Sequence, residues 1–208
     1  MLSDMPHHSP DHPLTPVALG LGGNIGNTYT IFVQAARSLA ADRRCHHMVC
    51  SSVYQTPAFG PPQDDYLNAV IVMAWADTPH ALLQLCRQLE QQSGRVRSRE
   101  RWGPRTLDCD ILLFGEQCIS EPDLVIPHYG IQERASVLVP LAEVAPGWRV
   151  PARCFEDQTH PAAKVGTLLW ALPDMERDAV KPRPSQQFLH AARRRTERGR
   201  RRSVRPRR

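Results

Sequence analysis

Arg95-Val-Arg97-Ser-Arg99-Glu100-Arg101-Trp102-Gly103-Pro104-Arg105-Thr-Leu-Asp108-Cys109-Asp110-Ile111-Leu-Leu-Phe114 carries five arginines and two near-adjacent carboxylates, Asp108 and Asp110, straight into an apolar run. Ile111 to Phe114 reads as a buried strand, and the period-two geometry of a strand turns Asp108 and Asp110 to one face and Cys109 to the other. Two hard oxygen donors held side by side suit Mg²⁺, which commonly takes one or two carboxylates and keeps its other positions for water and phosphate oxygens. Taken singly, each feature has a plainer reading. An Asp-x-Asp at a strand start is often a solvated edge, and a run of arginines is often a solvated face. Their combination points further: Trp102-Gly103-Pro104 sets a turn between the charge groups, and Arg105 stands three residues before Asp108, where one phosphate oxygen could bridge guanidinium and metal. Phosphoryl or nucleotidyl transfer is the chemistry these residues suggest, with the solvated charge run left as the alternative.

Working outward, Val17 to Leu21 reads as a buried strand ending in glycines, and Thr28 to Ala41 as a helix capped by Asn27 or Thr28. Strand signals follow at Met48 to Tyr54 and at Tyr66 to Trp75, whose apolar centre Ala69 to Ala74 suggests the middle of a sheet. Thr78-Pro79 opens an amphipathic helix carrying Leu82, Leu83, Leu85, Cys86 and Leu89, which Gly94 stops. With a strand from Asp108, the order is β-α-β-β-α-β, an α+β fold of the ferredoxin-like type with an antiparallel sheet. Val125-Ile126-Pro127, a helix around Ser136 to Glu143 and a short helix within Lys164 to Leu172 add C-terminal elements. The glycine segment Gly20 to Gly26 lacks a Gly-Lys-Ser/Thr ending, and its third glycine falls one place late for a dinucleotide fingerprint, so a tight strand-to-helix turn is its simplest reading.

Composition divides the chain. Its formal charge of +5 arises at the end: residues 182–208 hold eleven arginines and one acid, leaving 15 basic against 20 acidic side chains in residues 1–181. We therefore expect a loose extension over 1–16, a catalytic domain over 17–181 and a disordered Arg-rich tail over 182–208. Such a tail invites weak nonspecific nucleic-acid contact, although Phe188 is its one aromatic and the body is acidic. The six cysteines show no zinc spacing, which makes reduced, packed thiols in a cytoplasmic protein the expectation. No apolar run is long enough for a membrane span.

Beyond these readings, Arg95, Arg97 and Glu100-Arg101-Trp102-Gly103-Pro104-Arg105-Thr-Leu-Asp108-Cys109-Asp110-Ile111-Leu-Leu-Phe114-Gly115 resemble the signature of the 6-hydroxymethyl-7,8-dihydropterin pyrophosphokinase family. Three further segments resemble it in order: Ala18 to Gly26; Ser51 to Gly60 with Asp65-Tyr66-Leu-Asn68; and Ile126-Pro127-His128-Tyr129 with Arg134. The resemblance implies transfer of a pyrophosphoryl group from ATP to the hydroxymethyl oxygen of the pterin, giving AMP and the pterin diphosphate in folate biosynthesis. It implies two Mg²⁺ ions on Asp108 and Asp110, with Arg95 and Arg105 steadying the triphosphate. Arg97, Trp102, Ile111, His128, Tyr129 and Arg134 would bind ATP, Arg97 and Trp102 from a mobile lid. Thr56, Pro57, Phe59, Tyr66 and Asn68 would bind the pterin. An Asn amide offers the donor and acceptor that the guanidine-like edge of that ring needs, and Tyr66 could stack on its face. One departure stands out: Ser136 occupies a place where the family carries a second aromatic against the pterin. A homologue that binds ATP without turning over pterin is the alternative this departure raises.

Overall fold

The computed structural model describes residues 12–58, 60–95, 103–152, 161–183 and 188. Along the chain run β1 (Thr15–Gly23), α1 (Thr28–Ala41), β2 (Cys45–Cys50), β3 (Val53–Thr56), β4 (Tyr66–Trp75), α2 (Pro79–Gln92), β5 (Asp108–Phe114), β6 (Ile119–Glu121), β7 (Leu124–Ile126), α3 (Ala135–Val144), β8 (Arg149–Val150), β9 (Ala163–Lys164), α4 (Val165–Ala171), α5 (Asp174–Asp178) and β10 (Lys181–Arg183). One antiparallel sheet of six strands dominates, in the order β10-β3-β4-β1-β5 with β2 also on β4. Stripped of its last strand, this is the order that β-α-β-β-α-β connectivity predicts.

Both faces of the sheet are covered, which explains why its strands read as apolar runs. Leu19, Leu21 and Ile71 pack in one core with Phe32, Ala36 and Leu39 of α1 and Leu82, Cys86 and Leu89 of α2. Ala18, Val70, Val72 and Leu112 face the other way and meet Leu138 and Leu141 of α3. Side chains on β1 therefore alternate between two buried layers, with period two. The helices start where local chemistry puts them. Asn27 accepts from Thr30 N at the head of α1, and Thr78 accepts from Ala81 N at the head of α2, with Pro79 following.

Three expectations change. Met48 to Tyr54 is not one strand: β2 pairs with the second half of β4 and β3 with its first half. The break at Ser51 and Ser52 is satisfied locally. Ser51 N donates to Val70 O and Ser51 Oγ accepts from Val70 N, while Glu143 of α3 accepts from Ser52 N at 2.7 Å and from Tyr54 Oη at 3.0 Å. At the N-terminus, Thr15 and Pro16 already belong to β1, paired with Trp75 and Ala74 inside the stretch expected to be loose.

The third change is at the other end. Lys181–Arg183 forms a strand on β3, and Phe188 is fully buried, its ring centroid 6.0 Å from that of Phe32. The boundary expected at Pro182 therefore falls inside the folded body. Residues 184–187 and 189–208, with most of the arginines, lie outside the described residues, as do Phe59, Arg97 and Trp102. Cys45, Cys50, Cys86 and Cys109 are free and buried as expected, whereas Cys118 is disulfide-bonded and departs from the expectation of reduced thiols. Among the described residues no helix is long and apolar enough to cross a membrane.

Candidate active site

β5 begins at Asp108, and its register against β1 sets Asp108 opposite Gly22 and Asp110 opposite Gly20. Gly22 is in turn opposite Asn68 of β4. A Cβ at Gly22 would lie 3.6 Å from Asn68 Oδ1 and 3.8 Å from the Asp108 Cβ, so the glycine leaves a gap between the two polar side chains. They stand two strand spacings apart, about 9.6 Å. Asn68 Nδ2 donates to Thr56 Oγ1 at 2.8 Å, and this bond joins two of the residues assigned to the pterin. The Tyr66 hydroxyl donates to Gly103 O at 2.8 Å and so ties β4 to the loop ahead of Arg105. Pro57 is exposed beside Thr56, and Ser136 is half-buried in the first turn of α3.

Asp108 is held by both arginines. Arg95 Nη1 donates to Asp108 Oδ1 at 2.5 Å and Arg105 Nη1 to Oδ2 at 2.6 Å. Asp110 differs. Among the described residues the basic side chain nearest to it is His128, with Nε2 at 3.8 Å from Oδ2, and 45% of the Asp110 side-chain surface is open. Partial burial first, then repulsion by the Asp108 and Glu90 carboxylates, push the Asp110 carboxyl up to about 7 against the pull of Arg95 and Arg105. Such a group invites a cation. Among the described residues no cluster of three or more His, Cys, Asp or Glu side chains is placed to hold a metal. On the opposite face Cys109 is buried, its thiol held protonated by hydrogen bonding to Cys86 and by burial.

Two residues that sequence reasoning passed over complete the frame. Glu90, buried on α2, accepts from Cys109 N at 3.0 Å and also binds the Arg95 guanidinium, so one carboxylate anchors both the start of β5 and an arginine of the site. Asn24, in the glycine segment, receives Arg105 N on Oδ1 at 2.9 Å and donates from Nδ2 to Gln63 Oε1 and Asp64 O. One side chain thus ties the arginine loop to the loop between β3 and β4. The only sequence signal for Asn24 was its place among the glycines; Glu90 had none, being one acid of a polar helix end. Gly23 earns its place here too: a Cβ would come within 2.5 Å of Thr106 O.

The nucleotide candidates gather at the far edge of β5, the last strand of the sheet. His128 N donates to Leu112 O, and Gly130 N donates to His128 Nδ1 at 3.2 Å, which leaves the ring hydrogen of the neutral form on Nε2, toward Asp110. The His128 and Tyr129 rings lie 4.3 Å apart, and the Arg134 guanidinium sits 5.0 Å from the Tyr129 ring centre. Tyr129 is 49% exposed. Ile111 is the exception among these candidates: its side chain is buried in the core that the sheet shares with α1 and α2, leaving only its backbone to meet a nucleotide.

Comparison with known proteins matches this arrangement to one family. The model of 7,8-dihydro-6-hydroxymethylpterin-pyrophosphokinase (HPPK) matches residues 18–146. The chain is 44% identical over 133 residues to a 2-amino-4-hydroxy-6-hydroxymethyldihydropteridine pyrophosphokinase of Synechocystis sp., covering 64% of this chain and 68% of the relative. It is 39% identical over 128 residues to the protein of that name from Haemophilus influenzae, covering 61% of this chain and 79% of the relative. Among solved structures, a crystal structure of HPPK-DHPS in complex with substrates superposes with a TM-score of 0.55 at 11% identity, and a Plasmodium falciparum HPPK-DHPS triple mutant with 0.55 at 12%. Each is matched over 77% of this chain, which spans 43% and 44% of those longer chains, so they share the fold alone. With more than half of its length matched by the family model, the chain belongs to the 7,8-dihydro-6-hydroxymethylpterin-pyrophosphokinase family.

Proposed function

We propose that this chain transfers pyrophosphate from ATP to 6-hydroxymethyl-7,8-dihydropterin in the cytoplasm, forming the pterin diphosphate and AMP for folate biosynthesis. The observation that carries the reading is the Gly22 gap, which opens the Asn68–Thr56 pair toward the Asp108–Asp110 pair across one glycine strand. A pterin held at its amide-like edge by Asn68 would extend its hydroxymethyl arm along that gap toward the carboxylates. The pterin oxygen forms a bond to the β-phosphorus, the bond from that phosphorus to the oxygen bridging to the α-phosphate breaks with its electrons going to AMP, and one proton is released.

The residues' work is positioning and charge compensation. Arg95 and Arg105 lie on Asp108, within reach of a triphosphate brought to the same face. Asp108 and Asp110 would hold the two Mg²⁺ ions; bound there, the ions would polarise phosphate oxygens and offset the charge that shifts to AMP. His128 Nε2–H, Tyr129 and Arg134 form the donor edge for the nucleotide phosphates, with Arg97 and Trp102 as the proposed cover. Thr56, Pro57, Phe59, Tyr66 and Asn68 form the pterin side, where Tyr66 acts through the Gly103 loop. Incubation with MgATP and the pterin tests the proposal: AMP and pterin diphosphate should form in equal amounts, and Asp108→Ala and Asp110→Ala should each abolish this with the fold intact. Near-normal Mg²⁺-dependent turnover by either variant would remove the metal assignment.

A further inference from the structure

Residues 147–208 lie beyond the match to the family model, yet part of this segment folds back onto the strand that leads into the proposed pterin site. β10 pairs antiparallel with β3, setting Lys181 opposite Gln55, Pro182 opposite Tyr54 and Arg183 opposite Val53. Two anchors hold it. Tyr29 Oη of α1 donates to Arg183 O at 3.0 Å, and five residues further on Phe188 is fully buried against Phe32. From β10 a side-chain relay then runs inward. Arg183 Nε donates to Gln55 Oε1 at 2.8 Å, and Gln55 Nε2 donates to Asp65 Oδ2 at 2.7 Å. The relay fixes the amide orientation, because a guanidinium only donates and a carboxylate only accepts.

The relay's position gives it a role. Gln55 immediately precedes Thr56, and Asp65 immediately precedes Tyr66, so the two ends of the loop spanning 57–65 are tied together by Gln55 and braced from outside by Arg183. The same loop is held on its inner side by Asn24, through Gln63 and the Asp64 carbonyl. Covering an open sheet edge needs only the backbone of β10. The side-chain relay goes past that need and ends on the loop.

We propose that the C-terminal strand is a brace for the pterin loop, with Arg183 and Gln55 as positioning residues that set pterin affinity without touching the nucleotide side. The proposal rests on the reading of Thr56 and Asn68 as pterin contacts. The test uses the full chain as Gln55→Ala, Arg183→Ala and Arg183→Lys. Calorimetry gives the affinity for 6-hydroxymethyl-7,8-dihydropterin in the presence of a nonhydrolysable ATP analogue, and amide hydrogen exchange is followed over 57–65. Both alanine variants should bind pterin about fivefold more weakly, the factor that about 1 kcal/mol of hydrogen bonding represents. Both should exchange faster in the loop and leave analogue affinity unchanged, and Arg183→Lys should recover part of the loss. Pterin affinity within about twofold of the unmodified chain in both alanine variants would overturn the brace, whatever the change in melting temperature. If the unmodified chain itself binds no pterin, the proposed function fails instead, and loop exchange decides the brace: unchanged rates in Gln55→Ala overturn it, faster rates support it.

Discussion

Replacing Glu90 tests how the site is built, because one oxygen of this carboxylate serves two donors, Cys109 N and the Arg95 guanidinium. Glu90→Ala leaves the Cys109 N–H buried without its acceptor, at a cost of about 1–3 kcal/mol. It also takes from Arg95 one of two carboxylate partners. Asp108 remains, so the loss stays below the about 3–5 kcal/mol typical of a buried charge left alone. Together these give a destabilisation of about 2–4 kcal/mol for Glu90→Ala. Glu90→Gln keeps a carbonyl acceptor for Cys109 N and gives up only the charge, so about 1 kcal/mol is expected. Urea denaturation followed by circular dichroism measures both. For a chain of this size the alanine variant should melt lower by about 4–16 °C. An alanine variant within about 0.5 kcal/mol of the unmodified chain, or a glutamine variant as damaging as alanine, would refute the anchoring role.

Phe188→Ala should cost about 3–5 kcal/mol, the usual loss for a fully buried phenylalanine, and ending the chain at Arg183 should cost as much; a melting temperature unmoved in both would return the C-terminal segment to the status of a free tail. Gly23→Ala forces a Cβ against Thr106 O, so stability should fall by about 1–3 kcal/mol and affinity for an ATP analogue should weaken as the Arg105 loop is displaced; normal affinity with full stability would contradict the packing described. The raised carboxyl of Asp110 binds a proton in the folded chain between its ordinary value and about 7, whereas the unfolded chain is already ionised there, so its contribution to stability falls as pH rises through that window. A cation must displace that proton, so divalent-cation affinity measured with an ATP analogue should drop from pH 8 to pH 6 by up to about tenfold, water at the open side of the carboxylate making this an upper figure; a flat profile would show that Asp110 is ionised throughout.

Much of this was legible in the sequence where one local signal fixed one structural outcome. The Asn27 cap, the Thr78-Pro79 start and the alternation at Asp108 placed α1, α2 and β5, and the sheet order followed from the connectivity. The Asp-x-Asp spacing put the two carboxylates on one face, as the registers against Gly22 and Gly20 bear out. What escaped depends on partners distant in sequence. Ser51 and Ser52 interrupt a strand because Val70 and Glu143 satisfy the break, and neither is predictable from the apolar run around them. Lys181-Pro182-Arg183 has no strand signature of its own; it is ordered by the edge of β3 and by one phenylalanine that the arginine-rich composition concealed. Glu90, one acid of a polar helix end, carried no signal of its own and is the buried anchor of Arg95.

Whether a whole pyrophosphoryl unit moves is read directly by position-specific labelling of ATP. With MgATP labelled at the β-phosphorus and 6-hydroxymethyl-7,8-dihydropterin as acceptor, the label should appear entirely in the pterin product, while label at the α-phosphorus appears entirely in AMP. Label at the β-phosphorus recovered in ADP, with only the γ-phosphoryl group on the pterin, would mean simple phosphoryl transfer and rule out the pyrophosphoryl reaction.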